Sequence, residues 1–420
     1  MQPLRGTKDI LPNEIQLWQQ ICQITKELLN LHNYNEIQTP ILENTELFKK
    51  TIGNTTDIIN KEMYSFNDQS QRNITLRPEG TASIARAFIH NKLYLDQTIQ
   101  RLWYLGPMFR YERPQKGRQR QFHQLGIECI GSSIPIADVE VIRLAIIILK
   151  ALKCKTYELQ INSIGNAKER EQYIIALMAY LDQYKNDLDQ DLNKKITINP
   201  LRILDSKNIK IQEILIKAPK LNKYLDKISL YHFDEICHNL TYLNIPYKIN
   251  QNLVRGLDYY NNTAFEIKIK SLYHQNTICG GGRYDQLIKS LGGPNTPSVG
   301  WAIGLERLIM ITHQNLKQRK NNNTIYIINQ SHDHSYIIWN IINQLEIYHI
   351  KFELDLSKNT LFKQIKKANQ MKIKICFILG EDEINNQYIT IKWLQTSTQQ
   401  KINFSKLNEY LKYLKYYIIT

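Results

Sequence analysis

The chain has 420 residues, 43% of them hydrophobic and 22% charged, which predicts large cores and two or three domains. It has no apolar run of about 18 residues, and its start, MQPLRGTKDILP, has no apolar stretch behind a basic segment, so we expect neither a membrane-spanning helix nor secretion. The formal net charge of +15 favours a polyanionic partner, although the heavy use of Asn, Ile, Lys and Tyr, as in proteins from AT-rich genomes, also raises the lysine content.

The cysteines and histidines indicate no metal centre. Six cysteines are scattered along the chain, and no two have the spacing of a C-x-x-C zinc or redox pair. We interpret them as reduced thiols of a cytoplasmic protein. His332 and His334 flank Asp333, but no matching cluster lies nearby in sequence, so we interpret this segment as a solvated turn and predict no protein-bound metal.

The first three quarters of the chain favour antiparallel strands joined by long connections. RLWYLGPMFRYE, from Arg101 to Glu112, is typical of such a strand, and regular βαβ units are missing from the pattern. Between about Asn166 and Asn244 the chain becomes helical in pattern, polar and poor in glycine. Because this stretch lacks the chemical motifs on both sides of it, we predict an inserted helical domain.

The segment from His313 to Thr324 is polar and basic and predicts a linker. Beyond it, strands alternate with helices, which predicts a small α/β domain with a partly parallel sheet. The predicted strands are TIYIIN (324–329), KFELDL (351–356), KICFILG (374–380) and YITIKWL (388–394), and the predicted helices lie near Tyr336 to His349, from Leu361 to Met371 and from about Ser405.

The segment FRYERPQKGRQRQFHQLGIE, from Phe109 to Glu128, carries the most informative chemical pattern. Pro114 and Gly117 mark a loop between two strands. Around this loop a single acid, Glu112, faces five basic residues: Arg110, Arg113, Lys116, Arg118 and Arg120. If the second strand alternates with period two, one face carries Arg118, Arg120, Phe122, Gln124, Gly126 and Glu128. That row suits a ligand with phosphates, a purine and an amine. An exposed basic hairpin would explain the arginines but not the row of Phe, Gln, Gly and Glu that follows them. His123 lies on the opposite face of the predicted strand, and we predict a structural role for it.

Three segments, in this order, resemble the motifs of class II aminoacyl-tRNA synthetases. NEIQTPILENTELF, from Asn35 to Phe48, resembles motif 1. The order Phe-Arg-x-Glu from Phe109 to Glu112 resembles motif 2, and GWAIGLERL, from Gly300 to Leu308, resembles motif 3.

Further segments resemble the histidyl-tRNA synthetases in particular. They are LRPEGTA from Leu76, RGLDYYN from Arg255 and CGGGRYD from Cys279. The resemblance begins at about Arg5 and weakens after the linker to a domain pattern. There LSKNT (356–360) replaces the glycine-rich turn common in the bacterial domain, so residue-level anticodon contacts are not carried over.

This resemblance implies a mixed α/β fold. Residues 1–320 would form a class II catalytic domain with a mainly antiparallel sheet and the helical insertion at about 166–244, and residues 325–420 a C-terminal α/β anticodon-binding domain. It implies a cytoplasmic histidine–tRNA ligase whose partners are ATP, L-histidine and tRNA-His, with Mg²⁺ accompanying ATP and no membrane contact. Motif 1 implies a homodimer, with Pro40 packing at its interface.

The resemblance also assigns the ATP contacts. In the family's first step the histidine carboxylate attacks the α-phosphate, and arginine suits this centre because its planar fork holds two oxygens and stays charged. Arg110 would hold the α-phosphate, Arg255 would bridge it to the substrate carboxylate, and Arg307 would cover the adenine and the γ-phosphate. The other implied contacts are Glu112 near the exocyclic amine, Phe122 on the adenine, and Arg118 or Arg120 at the terminal phosphate.

A second set of residues would recognise histidine. Glu79 and Gln124 suit the substrate ammonium, and Glu128 and Tyr260 would meet the two imidazole nitrogens. The full implied set is Glu79, Gly80, Thr81, Gln124, Glu128, Arg255, Tyr259, Tyr260 and Tyr284. A site that pairs polar substrate atoms rejects analogues lacking them by about 10⁴-fold or more, so no editing domain is expected.

Three alternatives remain beside this reading. The synthetase-like regulatory subunit of histidine biosynthesis typically lacks catalytic arginines and the C-terminal domain, whereas Arg110, Arg255, Arg307 and about a hundred residues past the linker are present here. Class II synthetases for glycine, threonine or proline are disfavoured by RGLDYYN together with Glu128. A plain nucleic-acid-binding module would leave the phosphate-binding pattern unexplained.

The loop between the two strands generates a prediction about tRNA. Arg113 and Lys116 make it too basic for ATP alone, and in the resembling family it reaches the acceptor stem. Lys116→Ala should therefore leave ATP–pyrophosphate exchange nearly intact but slow transfer to tRNA, and this effect should shrink as salt rises, because a phosphate contact acts through counterion release. Both assays, run at low and moderate salt, test this. Loss of exchange would instead assign the loop to the ATP site.

Overall fold

The structure is a computed structural model that describes residues 1–420 except 54–55, 115–116, 155, 185–195, 197–198, 207, 270–275, 314–322, 331–334 and 420. The chain forms two compact units, Met1–Gln318 and Arg319–Thr420. Lys116, the His332–His334 segment and most of the predicted linker lie outside the described residues. No described helix combines the length and apolar character needed to cross a membrane.

The first unit contains helices α1 to α9 and strands β1 to β11. The helices are α1 (Pro12–Leu31), α2 (Thr45–Ile52), α3 (Thr81–His90), α4 (Pro135–Ala151), α5 (Ala167–Asp182), α6 (Ile209–Ile216), α7 (Lys227–Tyr242), α8 (Leu287–Ser290) and α9 (Leu305–Thr312). Short helical turns lie at Ile58–Glu62, Leu93–Leu95, Pro200–Asp205 and Leu221–Tyr224.

The strands of this unit form two sheets. They are β1 (Asn35–Glu36), β2 (Leu42–Asn44), β3 (Tyr64–Asn67), β4 (Asn73–Leu76), β5 (Gln100–Phe109), β6 (Gln121–Ile130), β7 (Glu158–Ser163), β8 (Tyr247–Ile249), β9 (Asn261–Lys268), β10 (Thr277–Arg283) and β11 (Ser298–Gly304). The large sheet has the order β1-β5-β6-β11-β10-β9-β7-β8, and β2-β4-β3 form a small one. Among the described strands of the large sheet, the outer pairs β1–β5 and β7–β8 are parallel and the other pairs are antiparallel, so the predicted mainly antiparallel sheet is confirmed.

Successive side chains of each strand in the large sheet point to opposite faces, and a hydrophobic core covers each face. In β5 the Trp103 side chain belongs to one core, which includes α1, α4 and α7, whereas Leu102 and Tyr104 belong to a second core, which includes α3, α5 and α6. The apolar run from Ala145 to Leu149 lies inside α4. Every turn of this helix has buried side chains, as expected of a helix that is hydrophobic on all sides.

The stretch from 166 to 244, predicted as a helical insertion, is divided between these two cores. Its described elements are helices α5 to α7 and two helical turns. Tyr173 and Leu177 of α5 pack in the second core, while Ile236 and Leu240 of α7 pack in the first. The last helix is thus part of the support of the large sheet rather than of a separate body.

The second unit is a five-stranded sheet with helices. Its strands are β12 (Ile325–Asn329), β13 (Phe352–Leu354), β14 (Ile375–Leu379), β15 (Tyr388–Trp393) and β16 (Gln399–Asn403), in the order β13-β12-β14-β15-β16. Its helices are α10 (Ser335–Ile347), α11 (Leu361–Gln370), α12 (Glu381–Asn385) and α13 (Phe404–Leu414), with a helical turn at Lys415–Ile419. Strand β12 pairs in parallel with β13 and β14, and β14 to β16 are antiparallel, so the predicted partly parallel sheet is confirmed.

Two elements of this unit were not predicted, α12 and β16. Strand β16 is polar, and four of its five residues are exposed, so it lacks the apolar alternation that identifies a half-buried strand. Helix α12 is only five residues long and buries no residue in full. Both elements therefore lack a periodic signal in the sequence.

Candidate active site

The floor of the candidate site is made of four neighbouring strands, β6, β11, β10 and β9. Three glycines on this floor leave room for side chains that cross it. A Cβ atom on Gly280 would lie 2.3 Å from Nη2 of Arg255, and one on Gly300 would lie 1.8 Å from Oε2 of Glu128. A Cβ atom on Gly126 would lie 2.3 Å from the Tyr104 ring. Each of these glycines is therefore required by a particular side chain above it.

A cavity above this floor brings together residues that are far apart in sequence. All three arginines predicted to be catalytic, Arg110, Arg255 and Arg307, line it. The other predicted site residues that line it are Glu112, Arg118, Phe122 and Gln124. The proposed ATP contacts therefore converge on one concave surface, with the exceptions described below.

The arginines of this cavity are held by backbone carbonyls and carboxylates. Nε of Arg110 donates to the Pro78 carbonyl at 2.8 Å, and the Arg110 guanidinium lies 5.3 Å from the centre of the Phe122 ring. Nε and Nη1 of Arg307 donate to the carbonyls of Gly117 and Thr277 at 3.0 and 2.8 Å. These bonds fix the guanidinium groups before any ligand is bound.

The charged side chains that line the cavity carry a net positive charge. Glu112 is its main counter-charge, with Oε2 lying 3.1 Å from Nη1 of Arg118 and Oε1 lying 3.9 Å from Nη1 of Arg110. Burial lowers the pKa of Arg307, and the positive charge of Arg118 lowers it further. The positive groups outnumber the carboxylates that line the cavity, so an anion would be stabilised there.

Arg120 does not line this cavity. Its guanidinium lies 3.8 Å from the centre of the Tyr111 ring, and its stem lies against Gly6. The prediction that Arg118 and Arg120 continue one strand face was wrong, because the strand begins only at Gln121 and the alternation does not extend into the loop. Of the two alternatives for the terminal phosphate, the structure brings Arg118 to the cavity.

The remaining residues of the hairpin have separate surroundings. The His123 ring packs edge-on against Trp18 at 4.6 Å, and its Nδ1 lies 2.9 Å from Oε1 of Glu306, so the predicted position on the face opposite Gln124 is confirmed. Arg113 is exposed. Lys116 lies outside the described residues.

The residues predicted to bind histidine form a buried cluster next to the cavity. Glu79 precedes α3, and its carboxylate accepts from the backbone N–H groups of Thr81 and Ala82, each at 2.7 Å. The Tyr259 hydroxyl lies 3.4 Å from Oε2 of Glu79. Gly80 lies beneath the Tyr104 ring, where a Cβ atom would lie only 2.3 Å away. The start of α3 is thus built around one carboxylate, which a helix N-terminus stabilises.

Glu128 is the centre of the other half of this cluster and is fully buried. Its Oε1 accepts from Oγ1 of Thr81 at 2.7 Å, and its Oε2 accepts from the Tyr284 hydroxyl. Burial raises the pKa of Glu128 to about 8, although the hydrogen bonds from Tyr284 and Thr81 act to lower it. The carboxyl group is therefore held at both oxygens, while its burial disfavours the charged form.

Tyrosine rings connect this cluster to the phosphate cavity. Tyr260 lies 4.6 Å from Tyr259 and 6.5 Å from Tyr284, measured between ring centres. The guanidinium of Arg255 lies 5.5 Å from the centre of the Tyr260 ring. Arg255 therefore contacts both parts of the site, as a group that bridges two ligands must.

Sequence reasoning missed two residues that the structure places in this site. Tyr104 lies directly opposite Gly126 in the β5–β6 ladder and covers the space that the glycine leaves. Glu266, on β9, binds the guanidinium of Arg255 at 2.6 Å. The signal for Glu266 was a carboxylate between two apolar residues, Phe265 and Ile267, while Tyr104 offered no signal apart from its register with Gly126.

Comparison with known proteins identifies the family. The sequence model described as "Histidyl-tRNA synthetase" matches residues 6–308. The chain belongs to the histidyl-tRNA synthetase family. A second model, described as "Anticodon binding domain", matches residues 324–414.

Relatives of this family match nearly the whole chain. The chain is 62% identical over 405 residues to "Histidine–tRNA ligase, chloroplastic" of Gracilaria tenuistipitata var. liui, covering 96% of each chain. It is 49% identical over 402 residues to "Histidine–tRNA ligase" of a Picosynechococcus strain, covering 96% of this chain and 94% of the relative. The solved structure of apo Staphylococcus aureus histidyl-tRNA synthetase has a TM-score of 0.81 and 33% identity, covering 98% of this chain and 100% of the other.

These similarities confirm the predicted family, the predicted class II fold with its C-terminal domain, and the predicted function of a histidine–tRNA ligase. The alternatives of a regulatory subunit and of a synthetase for another amino acid do not fit relatives of this description at 62% and 49% identity.

The buried carboxyl group of Glu128 generates a prediction about stability and pH. Its pKa in the folded chain, about 8, lies above the ordinary value of 4.5, so the folded state binds the proton more tightly than the unfolded state. This group's contribution to the free energy of unfolding is therefore complete below pH 4.5 and declines as the pH rises towards 8. Glu128→Gln, which stays neutral, should become progressively more stable relative to the parent over this interval.

Urea denaturation of both proteins at pH 5, 6.5 and 8 measures this difference. The glutamine amide occupies nearly the same volume as the carboxyl group, so packing is preserved. A constant difference in unfolding free energy at all three pH values would show that Glu128 does not titrate in this interval.

Proposed function

We propose that the cavity lined by Arg110, Arg255 and Arg307 binds ATP and carries out histidine activation. A carboxylate oxygen of histidine attacks the α-phosphorus, the bond from that phosphorus to the bridging oxygen breaks, and pyrophosphate leaves. The convergence of three preorganised guanidinium groups on one cavity carries this proposal. Groups fixed in advance stabilise developing phosphoryl charge without reorganisation in the reacting state.

The nucleotide contacts follow from the side chains around the cavity. Arg110 would bind the α-phosphate, and Arg118 would reach the terminal phosphate. Phe122 would stack on the adenine with Glu112 near its exocyclic amine, and Arg307 would cover the other side of the ring. The support is that all five side chains line the same cavity.

Histidine would bind where the buried cluster meets this cavity. Among the described residues, Oε1 of Gln124 is a buried acceptor without a hydrogen-bond partner, as suits a group that awaits the substrate ammonium. Glu79, held at the start of α3, would be the second ammonium partner. Glu128 and Tyr260 would pair with the imidazole, with Tyr284 closing the pocket. These polar partners favour histidine over amino acids whose side chains cannot form the same hydrogen bonds.

Mg²⁺ is proposed to arrive with ATP. Over the part of the chain that the structure describes, no group of three or more His, Cys, Asp or Glu side chains forms a protein-built metal site. The carboxylates that line the cavity are Glu112 and Glu306, and carboxylate oxygens are suitable ligands for Mg²⁺. When bound, the ion would neutralise charge on the phosphate oxygens.

We also propose that the acylated product is formed on tRNA-His. The terminal ribose hydroxyl of the tRNA attacks the histidyl carbonyl carbon, and AMP leaves. Arg113, in the loop between β5 and β6, is exposed, as a contact to the tRNA backbone phosphates would require. Lys116 of the same loop is proposed to contact these phosphates as well. The C-terminal unit would bind the anticodon, in keeping with the family that matches residues 324–414.

A homodimer is proposed because the motif 1 segment exposes apolar side chains. Three neighbouring residues at the start of β2 are exposed in the single chain: Pro40, Ile41 and Leu42. A second copy would cover them.

We propose that the protein acts in the compartment that contains its tRNA. In a bacterium that compartment is the cytoplasm, as predicted. In an alga such as the source of the Gracilaria relative it would be the chloroplast.

The activity is tested by ATP–pyrophosphate exchange with each of the twenty amino acids. L-Histidine should support exchange with a preference of about 10⁴-fold or more over the others, because its imidazole partners would be left unpaired by any competitor. Equal exchange with a second amino acid would contradict the proposed histidine pocket.

Arg255 generates the sharpest test of a single residue. Arg255→Ala should slow adenylate formation by about 10²–10³-fold while the protein stays folded, because a preorganised contact to developing charge is lost. Pyrophosphate exchange and thermal melting measure the two effects. Arg72→Ala is the matched control, since Arg72 is exposed and pairs with Asp68 at 2.6 Å. Exchange within threefold of the parent would remove Arg255 from the catalytic assignment.

A further inference from the structure

We propose that Glu266 is a positioning residue, which turns one edge of the Arg255 guanidinium towards the substrate. Glu266 lies on β9 directly opposite Gly280 of β10. Its Oε1 accepts from Nη1 of Arg255 at 2.6 Å. This inference rests on the proposed role of Arg255 and adds the reason for its orientation.

Only part of the Arg255 guanidinium is hydrogen-bonded within the described structure. Nη1 is occupied by Glu266, whereas Nε is buried and has no hydrogen-bond partner among the described residues. Nη2 lies over Gly280, where a Cβ atom would lie only 2.3 Å away. Nε and Nη2 form the side edge of the guanidinium, and two parallel N–H groups of this kind bind an oxyanion through two oxygens.

Glu266 is itself fixed from the other side. Its Oε2 accepts from Oγ1 of Thr277 at 3.1 Å and lies 3.6 Å from Nζ of Lys268. Nζ of Lys268 in turn donates to Oε1 of Gln160 at 2.9 Å. A carboxylate held at both oxygens cannot rotate with the arginine, so it determines where the guanidinium points.

Glu266 acts through Arg255 and not on a ligand. Arg255, Thr277 and Gly280 line the cavity, and Glu266 is not among the residues that line it. The free edge of Arg255 would therefore face the anion common to both substrates, a carboxylate or a phosphate oxygen, while Glu266 stays behind it. Loss of Glu266 should disturb recognition of that anion and leave recognition of the imidazole unchanged.

The test compares Glu266→Gln with the parent in two measurements. The first is kcat/KM for histidine in pyrophosphate exchange, which should fall by about 10²-fold, because a misplaced reacting group costs a factor of that size. The second is the dissociation constant, by calorimetry, of L-histidine and of L-histidinol, which keeps the imidazole and the amine but lacks the carboxylate. Histidine binding should weaken about tenfold or more, and histidinol binding should change less than threefold. Equal weakening of both ligands would overturn the proposal in favour of a general structural role.

A double-mutant cycle with Arg255→Ala separates this inference from the proposed function. If Glu266 acts through Arg255, Glu266→Gln should cost less than a further threefold in the Arg255→Ala background. Losses that multiply would overturn the role of Glu266 and leave that of Arg255 intact. Near-parental exchange by Arg255→Ala alone would overturn the role of Arg255 and, with it, this inference.

Two further variants control for folding. Glu140→Gln is the matched control, because Glu140 is another half-buried carboxylate that accepts from an arginine, with its Oε1 2.8 Å from Nε of Arg101, and it does not line the cavity. It should leave exchange unchanged. If Glu266→Gln does not fold, Thr277→Val removes the hydroxyl that holds Oε2 of Glu266 and should weaken histidine about threefold to tenfold but not histidinol. No difference between the two ligands in that variant would also overturn the proposal.

Discussion

The site depends on holding several positive charges close together in a partly buried cavity. A guanidinium group taken out of water costs several kcal/mol unless hydrogen bonds and opposite charges compensate it. The chain meets this constraint with backbone carbonyls for Arg110 and Arg307 and with a carboxylate for Arg255. The charge that remains uncompensated is the part that a polyanionic substrate can use.

These anchors are linked to one another through Thr277. Its carbonyl accepts from Arg307, and its hydroxyl donates to Glu266, which holds Arg255. Two arginines with different proposed partners, the nucleotide and the substrate carboxylate, are therefore oriented by one residue at the start of β10. A shift of that strand end would move both guanidinium groups together, so the positions of Arg255 and Arg307 are coupled through the sheet.

The parts of the fold that follow a period were predictable from sequence. The alternation of strands and helices after residue 324 appears in the structure because each of those strands packs apolar side chains in or against the core of the unit. The prediction failed for α12 and β16, whose residues are mostly exposed. It also failed for Arg120, because a rule that holds within a strand was carried into the loop before Gln121.

Site residues were predictable from sequence where the residue type itself indicates a chemical role. They were not predictable where the role depends on contact with another residue. The arginines and the Phe-Gln-Gly-Glu row carry signals of their own. Tyr104 and Glu266 acquire their roles from Gly126 and Arg255, and only strand register or a connecting loop brings those pairs together. Gly126 has no side chain in the predicted row, and the structure fills the space above it with the Tyr104 ring.

The polar outer strand of the C-terminal unit has a consequence for self-association. Strand β16 ends the five-stranded sheet, so it presents unpaired backbone groups on its outer side. Such an edge is a template on which another extended chain can add by hydrogen bonding. Gln399, Gln400 and Lys401 are exposed there, and a lysine on an edge strand opposes the approach of a second one. The same lack of apolar alternation that hid β16 from prediction therefore makes this edge of the sheet a poor template for β-aggregation.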